Sequence, residues 1–449
     1  MRGERSCVPG VAPAALVVLL GAVSWHAASN LGGTTAGIVY GLAATVTVLV
    51  LLPWIADLLG RAPSWVLPLL VAACVAVLAG AFVVGVPRAY HDAMGVGSDR
   101  ANALDVALTQ IARGLYPYSA TTYLGNPITP LPGALLLAAP FWWVTGSAAW
   151  QNVAWLFLLL PVLNRGWQLR PRPTALWMLT CFGTLEVLRQ FLIGDDLISS
   201  AVPALAAVVW TLTAASDRSR WALAGAAIVL GVATCTRPHM ILVLVVLVAG
   251  VGVAAGARRA AIVGGCASLV WVALIVPFLL GGTARFSPGH VAAKVTGDRA
   301  VTVGIVVIGL GATALAVVAL RVARPSSTEA VGWFCAAVLF APSVLSLARR
   351  LILGPVMDLD LTLGAAAVPF AVWAMASRVA PTPAPSDRSS NPVGPARTRA
   401  PRIRAERQVP RDVGRDATGS RGHRFGDRLP RTTENDDRRD MIATDPHHR

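Results

Sequence analysis

Ser64-Trp-Val-Leu-Pro-Leu-Leu-Val-Ala-Ala-Cys-Val-Ala-Val-Leu-Ala-Gly-Ala-Phe-Val-Val-Gly-Val86 runs for 23 residues without a charge. About 20 apolar residues in a helix cross the hydrocarbon core of a bilayer. Inside that core only helices and closed barrels satisfy their own backbone groups. The stretch therefore predicts a spanning helix. Comparable runs cover roughly 11–28, 36–60, 131–163, 174–193, 197–215, 221–236, 240–256, 260–280, 300–320, 331–347 and 360–377. The expectation for residues 1–380 is an all-α, polytopic integral membrane bundle of about 12 spans. Pro53, Pro203, Pro277 and Pro342 fall inside these runs, where neighbouring helices can re-satisfy the freed backbone groups.

Composition agrees. The 449 residues are 55% hydrophobic and 14% charged, against about 25% charged in soluble domains. Of the 61 charged residues, 25 lie in 381–449, which holds 15 Arg and 10 acids. That segment has few large apolar residues and is expected to be a disordered basic tail. Its net charge of +5 suits either plain solvation or contact with anionic lipid. No basic stripe interleaved with aromatics lies on a foldable soluble segment, so nucleic acid is not an expected partner. The cysteines (Cys7, Cys74, Cys181, Cys235, Cys266, Cys335) are far apart and outside any CxxC, which predicts neither disulfides nor a structural metal.

Arginine placement predicts the orientation. Arg61, the group Arg165, Arg170 and Arg172, then Arg218 and Arg220, Arg258 and Arg259, and Arg321 and Arg324 fall in alternate loops, which the positive-inside rule puts in the cytoplasm with both termini. The loops 87–130, 194–196, 236–239, 281–299 and 348–359 then lie outside the plasma membrane. Segment 131–163 is too long for one span and is broken at Gly146. One crossing plus an interfacial or re-entrant piece keeps the arginine loops together, with Trp142, Trp143 and Trp150 at headgroup level.

The first large outside loop, 87–130, carries the most chemistry. Ala101, Leu104, Ala107, Leu108, Ile111 and Leu115 recur at helical spacing, Gly114 ends that helix, and Tyr116-Pro-Tyr118 turns the chain. An amphipathic helix at the outer leaflet places Asp92 and Asp99 before its start. Two readings of Asp99 stand side by side. It caps the helix amides, or it sits at the border of water and lipid as a general base toward a hydroxyl.

The acid of this loop, the following Gly114-x-x-Pro117-Tyr118, the prolines Pro127, Pro130 and Pro132, and Ala139-Pro140-Phe141 resemble the GT-C class of membrane glycosyltransferases, which use polyprenyl-phosphate sugars. The likeness is to actinobacterial mannosyl- or arabinosyltransferases and covers about 45 residues by motif. It implies an enzyme moving a sugar from a polyprenyl-phosphate donor to a lipid or cell-envelope glycan acceptor outside the cytoplasm. It also implies that the loop acid is the base, falling on Asp99 first, with Asp92 and Asp105 as competitors. Many enzymes of this class use a divalent cation such as Mg or Mn.

An anionic donor headgroup calls for cations on the outer face. Arg237 and His239 in Thr-Arg-Pro-His, Lys294 with Arg285, His290 and Arg299, and Arg349-Arg350 supply them, and Arg237, His239, Lys294, Arg349 and Arg350 form the expected phosphate-binding set. Singly, an Arg at a span end ordinarily snorkels to the headgroups. Tyr116, Tyr118, Tyr123 and Asn126 form the expected substrate-binding set, although interfacial Tyr is ordinary belt behaviour. Asp195-Asp196 reads either as a polar turn or as a divalent-cation site. Glu186 and Arg189, at i and i+3, are expected to form a buried ion pair. A transporter or lipid flippase, and a scaffold without catalysis, are the alternative functions.

Overall fold

The computed structural model describes residues 11–90, 99–217, 219–281, 286, 299–323, 328–353 and 362–378. The tail 381–449 lies outside them. No strand is assigned among the described residues. The helices are α1 (Val11–Val46), continued through a π turn into α2 (Leu52–Arg61), α3 (Val66–Tyr90), α4 (Arg100–Ala112), α5 (Pro132–Thr145), α6 (Gln151–Asn164), α7 (Pro171–Met178), α8 (Leu185–Leu192), α9 (Leu197–Ser216), α10 (Arg220–Thr234), α11 (Ile241–Ala255), α12 (Ala257–Leu280), α13 (Arg299–Ala323), α14 (Thr328–Leu353) and α15 (Val368–Ser377).

Among the described residues, five helical stretches are long and apolar enough to cross a membrane: Val11–Arg61, Val66–Arg88, Leu197–Ser216, Pro238–Ala255 and Ala257–Leu280. A sixth is added when α5 and α6 count as one bent span. Arg220–Thr234, Val306–Val322, Thr328–Val344 and Leu363–Ser377 are shorter apolar helices. The first stretch folds back on itself at Gly32-Gly33. Gly33 has φ 68° and ψ −164°, a conformation open essentially to glycine. Beyond it, a Cβ on Gly37 would lie 3.0–3.2 Å from Ser29 and the Trp25 ring, so the two arms pack closely side by side.

The run 174–193 is not one helix. It is α7, a π turn over Leu179–Gly183, an extended Thr184, and α8. A break inside an apolar bundle leaves backbone groups that must find partners, and the α1 hairpin supplies them. Tyr40 Oη donates to the Gly183 carbonyl (2.9 Å) and accepts from the Leu185 amide (3.4 Å). The Glu186 amide donates to Ser24 Oγ (3.2 Å). The expected Glu186–Arg189 pair forms here, with contacts of 2.7 and 3.0 Å. Glu186 is fully buried and takes a further bond from Gln190 Nε2.

α9 is the central post, with 72% of its apolar window buried, against 11% for the peripheral α12. Small residues at Ser199, Ser200, Ala201, Ala204 and Ala207 let its neighbours approach closely. Between α5 and α6 the chain turns by 109° where Gly146 adopts φ 79°. Both ends of α5 are tied to the same end of the bundle. The Gly133 amide donates to the Cys235 carbonyl at the end of α10 (2.9 Å), and the Ser147–Ala148 turn is held by Asp105 of α4. α6 then runs from that end and packs against α9 and α7.

Loops therefore gather into two sets. At one end Arg165 reaches Thr328, Arg378 pairs with Glu329, Arg259 bonds the Ala215 carbonyl and Gly60 packs on Pro171. At the other lie the start of α4, segment 121–131, and the turns 193–196 and 235–240.

Candidate acidic site at one end of the bundle

The site begins with a small turn. Gly125 takes φ 74°, the Thr122 amide donates to the Asn126 carbonyl (2.8 Å), and the Asn126 amide donates to Thr122 Oγ1 (3.1 Å). An isolated bridge between Thr121 and Pro127 closes it. This turn grips the start of α4, for the Tyr123 amide donates to Asn102 Oδ1 (3.0 Å).

Asp99 stands between the two. Its side chain does not cap α4. Instead Oδ2 accepts from Thr122 Oγ1 and from Asn126 Nδ2, both at 2.6 Å. Its other carboxylate oxygen has no partner among the described residues. A half-buried carboxylate fixed through one oxygen leaves the other as an oriented acceptor. Asn126, expected to touch sugar, is committed to Asp99.

Asp105, the competing acid, serves another purpose. Oδ1 accepts from the Ala148 amide (2.6 Å) and Oδ2 from Ser147 Oγ (3.1 Å), so it clamps the bend between α5 and α6. Asp92 lies outside the described residues.

Two arginine–aspartate pairs flank Asp99. Arg100 Nη1 contacts both oxygens of Asp195, at 2.8 and 2.9 Å, and the Leu197 amide donates to the same carboxylate (3.1 Å). Asn152 Nδ2 holds the Asp195 carbonyl (2.9 Å). Arg237 Nη2 bonds Asp196 Oδ1, and Nη1 donates to Thr129 Oγ1 (3.2 Å). This second pair is almost dry. Burial pushes the Asp196 carboxyl above its ordinary range, while Arg237 beside it pulls the other way. Asp196 Oδ2, Arg237 Nε and His239 Nε2 are buried without partners among the described residues. A crevice lined by Leu104, Gln151, Asp196, Ser200 and Thr236 adjoins the pair and is too narrow to admit water.

The expected phosphate-binding set is thus revised for Arg237, which is not a free cation but a buried link between the α10–α11 turn and segment 126–129. Lys294 lies outside the described residues. Arg349 and Arg350 occupy helical positions near the end of α14, and their side chains lie outside the described residues. The expected cation site does not fit a divalent ion, because Asp195 and Asp196 each face a guanidinium rather than one another. Among the described residues no group of three or more His, Cys, Asp or Glu could hold a metal.

Tyrosines divide. Tyr118 is buried, donates to the Pro130 carbonyl (3.0 Å) and packs edge-on against Phe278 and Phe286 at 5.6 and 5.0 Å, which leaves it no face for a sugar. Burial pushes its phenol far above the usual range. Tyr116 donates to the Phe278 carbonyl (2.8 Å). Tyr123 is the exposed member of the set.

Close backbone approach fixes the whole arrangement. The Leu131 amide donates to the Thr236 carbonyl (3.1 Å) beside the Gly133–Cys235 bond, and a Cβ on Gly133 would lie 2.4 Å from the carbonyl oxygens of Val232 and Cys235. No family model, curated protein or solved structure matches the chain.

Proposed function

We propose that this chain is a multi-pass glycosyltransferase of the GT-C kind, of about 12 spans, with its arginine-rich end in the cytoplasm and the Asp99 cluster facing outward. The observation that carries this reading is the Asp99 carboxylate, held by Thr122 and Asn126 through one oxygen and open at the other. A general base needs that combination of fixed direction and free lone pair.

In the proposed reaction the free oxygen of Asp99 takes the proton of the acceptor hydroxyl. The acceptor oxygen bonds the anomeric carbon as the bond from that carbon to the phosphate oxygen breaks, and polyprenyl phosphate leaves. One displacement inverts the anomeric centre. Arg100 and Arg237 are each neutralised by an aspartate and hold the frame of the site, and Lys294, Arg349 and Arg350 are proposed to contact the leaving phosphate and stabilise its charge. No step runs through a metal ion.

Transfer of label from a polyprenyl-phosphate sugar in membranes tests this. Asp99→Asn should lower transfer by at least 100-fold, on the order of the general-base contribution. Thr122→Val and Asn126→Ala should lower it less while leaving donor KM unchanged. Undiminished transfer in Asp99→Asn removes the base.

A second reading, a transporter or flippase, has one observation in its favour: the broken α7–α8 helix with Glu186, Arg189 and Gln190 at its break, since transporter sites sit at discontinuous helices. It requires substrate movement by the purified protein in vesicles that Glu186→Gln abolishes and Asp99→Asn leaves intact.

A further inference from the structure

We propose that the groove between α11, α12 and α13 binds one anionic membrane phospholipid, with an acyl chain along α11 and the headgroup phosphate at Arg321. The groove has a volume of about 680 Å³ and is lined by Val245, Val248 and Gly252 of α11, Ala257 and Ala260 of α12, and Val317 and Arg321 of α13. That volume lies within the range of about 300–1,000 Å³ for clefts that bind small molecules. From Val245 to Val253 it follows roughly 12 Å of helix, at about 1.5 Å per residue. Small side chains make the room: Ala249, Gly252, Ala257 and Ala260 stand where larger residues would close α11 onto α12.

Its lining is apolar along its length and carries Arg321. Arg321 is exposed. Arg258 and Arg259 occupy the same first turn of α12 as the lining residue Ala257, and Arg259 bonds the Ala215 carbonyl. None of these three guanidiniums forms an ion pair among the described residues. An apolar channel with unneutralised arginines at its mouth matches a ligand with a hydrocarbon chain and a negative head. Lipid bathes this surface, and basic residues attract anionic headgroups by about 1 kcal/mol each. The sugar donor is a poor occupant, because Arg321 and Ala257 lie at the opposite end of the bundle from Asp99. The inference rests on membrane residence alone and stands whether or not the chain transfers sugars.

The full-length protein, purified in detergent, is offered phosphatidylglycerol and phosphatidylcholine of identical chains, and retained lipid is counted by native mass spectrometry. The wild type should keep one phosphatidylglycerol in preference to phosphatidylcholine. R321Q should reduce that preference about fivefold, the equivalent of one cation at an anionic surface. A257L, which fills the groove, should lower retention of both lipids. Both positions are exposed, and an unchanged melting midpoint checks that the variants fold. Equal retention of the two lipids by the wild type overturns the proposal. So does a preference that survives both substitutions, which would put the lipid elsewhere. Displacement of the lipid by inorganic phosphate would also overturn it, since the groove would then contribute nothing.

Discussion

The Arg237–Asp196 pair allows a quantitative test of how this end of the bundle is held together. The Arg237 and Asp196 side chains are 9% and 2% exposed, so removing one partner strands the other's charge where water cannot reach it. Breaking a buried pair costs about 3–5 kcal/mol, whereas replacing both partners with apolar groups is often neutral or stabilising. Asp196→Val and Arg237→Met singly, and then together, should reproduce that pattern. The two losses should differ. A stranded carboxylate can take up a proton, whereas a guanidinium cannot lose one, so Asp196→Val should cost more than Arg237→Met. Burial already raises the Asp196 pKa, and removing Arg237 raises it further. An acid whose folded pKa is raised contributes its stability below the unfolded value, about 3.9, and loses it as pH rises through the folded value. Arg237→Met should therefore be nearly as stable as wild type near pH 4 and should weaken toward neutrality. The measurement is denaturant unfolding in detergent micelles, followed by tryptophan fluorescence, for all four proteins across that range. A double variant no more stable than the worse single one, or a pH-independent Arg237→Met deficit, would refute the reasoning.

Three further predictions concern the surrounding frame. Gly133→Ala drives a methyl to 2.4 Å from two backbone carbonyls, which no side-chain movement relieves. It should cost about 1–3 kcal/mol, read as a lower unfolding midpoint. Asp105→Ala leaves the Ala148 amide and Ser147 hydroxyl without their acceptor and should cost about 1–3 kcal/mol. Asp105→Asn keeps an acceptor oxygen and should cost less in the same assay. For Tyr118, burial raises the folded pKa, so its contribution is intact below the unfolded value of about 10 and is lost as pH rises above it. Melting midpoints of Tyr118→Phe should accordingly fall less than those of wild type above about pH 10.

The span-length apolar runs were legible because lipid imposes one rule on every residue of a stretch. The arginine clusters were legible for a related reason: charge is excluded from the core, so it marks the ends. The bend at Gly146 and the Glu186–Arg189 pair also followed from local spacing. What the sequence hid was pairing across distance. Arg237 looked like a free cation because its partner, Asp196, lies 41 residues away and looked like part of a metal site. Asp99 sits where a helix cap belongs, and nothing local announces that Thr122 and Asn126 reach it first. The break at Thr184 was hidden as well. Its repair depends on Tyr40 and Ser24, from the hairpin at the other end of the chain.

Those distant pairings share a logic. Acids and arginines that lipid would expel are assembled at one end of the bundle by glycine-permitted backbone contact: Gly133 against α10, Gly125 in the Asp99 turn, and Gly146 at the α5–α6 bend. Each aspartate is assigned its own donors, Asp105 to the bend, Asp195 to Arg100 and Asp196 to Arg237. Asp99 and Asp196 each keep one oxygen without a partner among the described residues, but that of Asp196 is sealed from water whereas Asp99 is only half-buried. Two 2.6 Å hydrogen bonds to its other oxygen fix the direction of the Asp99 carboxylate. Under the proposed function, that oriented and accessible oxygen is what separates Asp99 from Asp105, Asp195 and Asp196. Transfer measurements should therefore find Asp99→Asn far more damaging than Asp195→Asn, once both are corrected for the amount of folded protein.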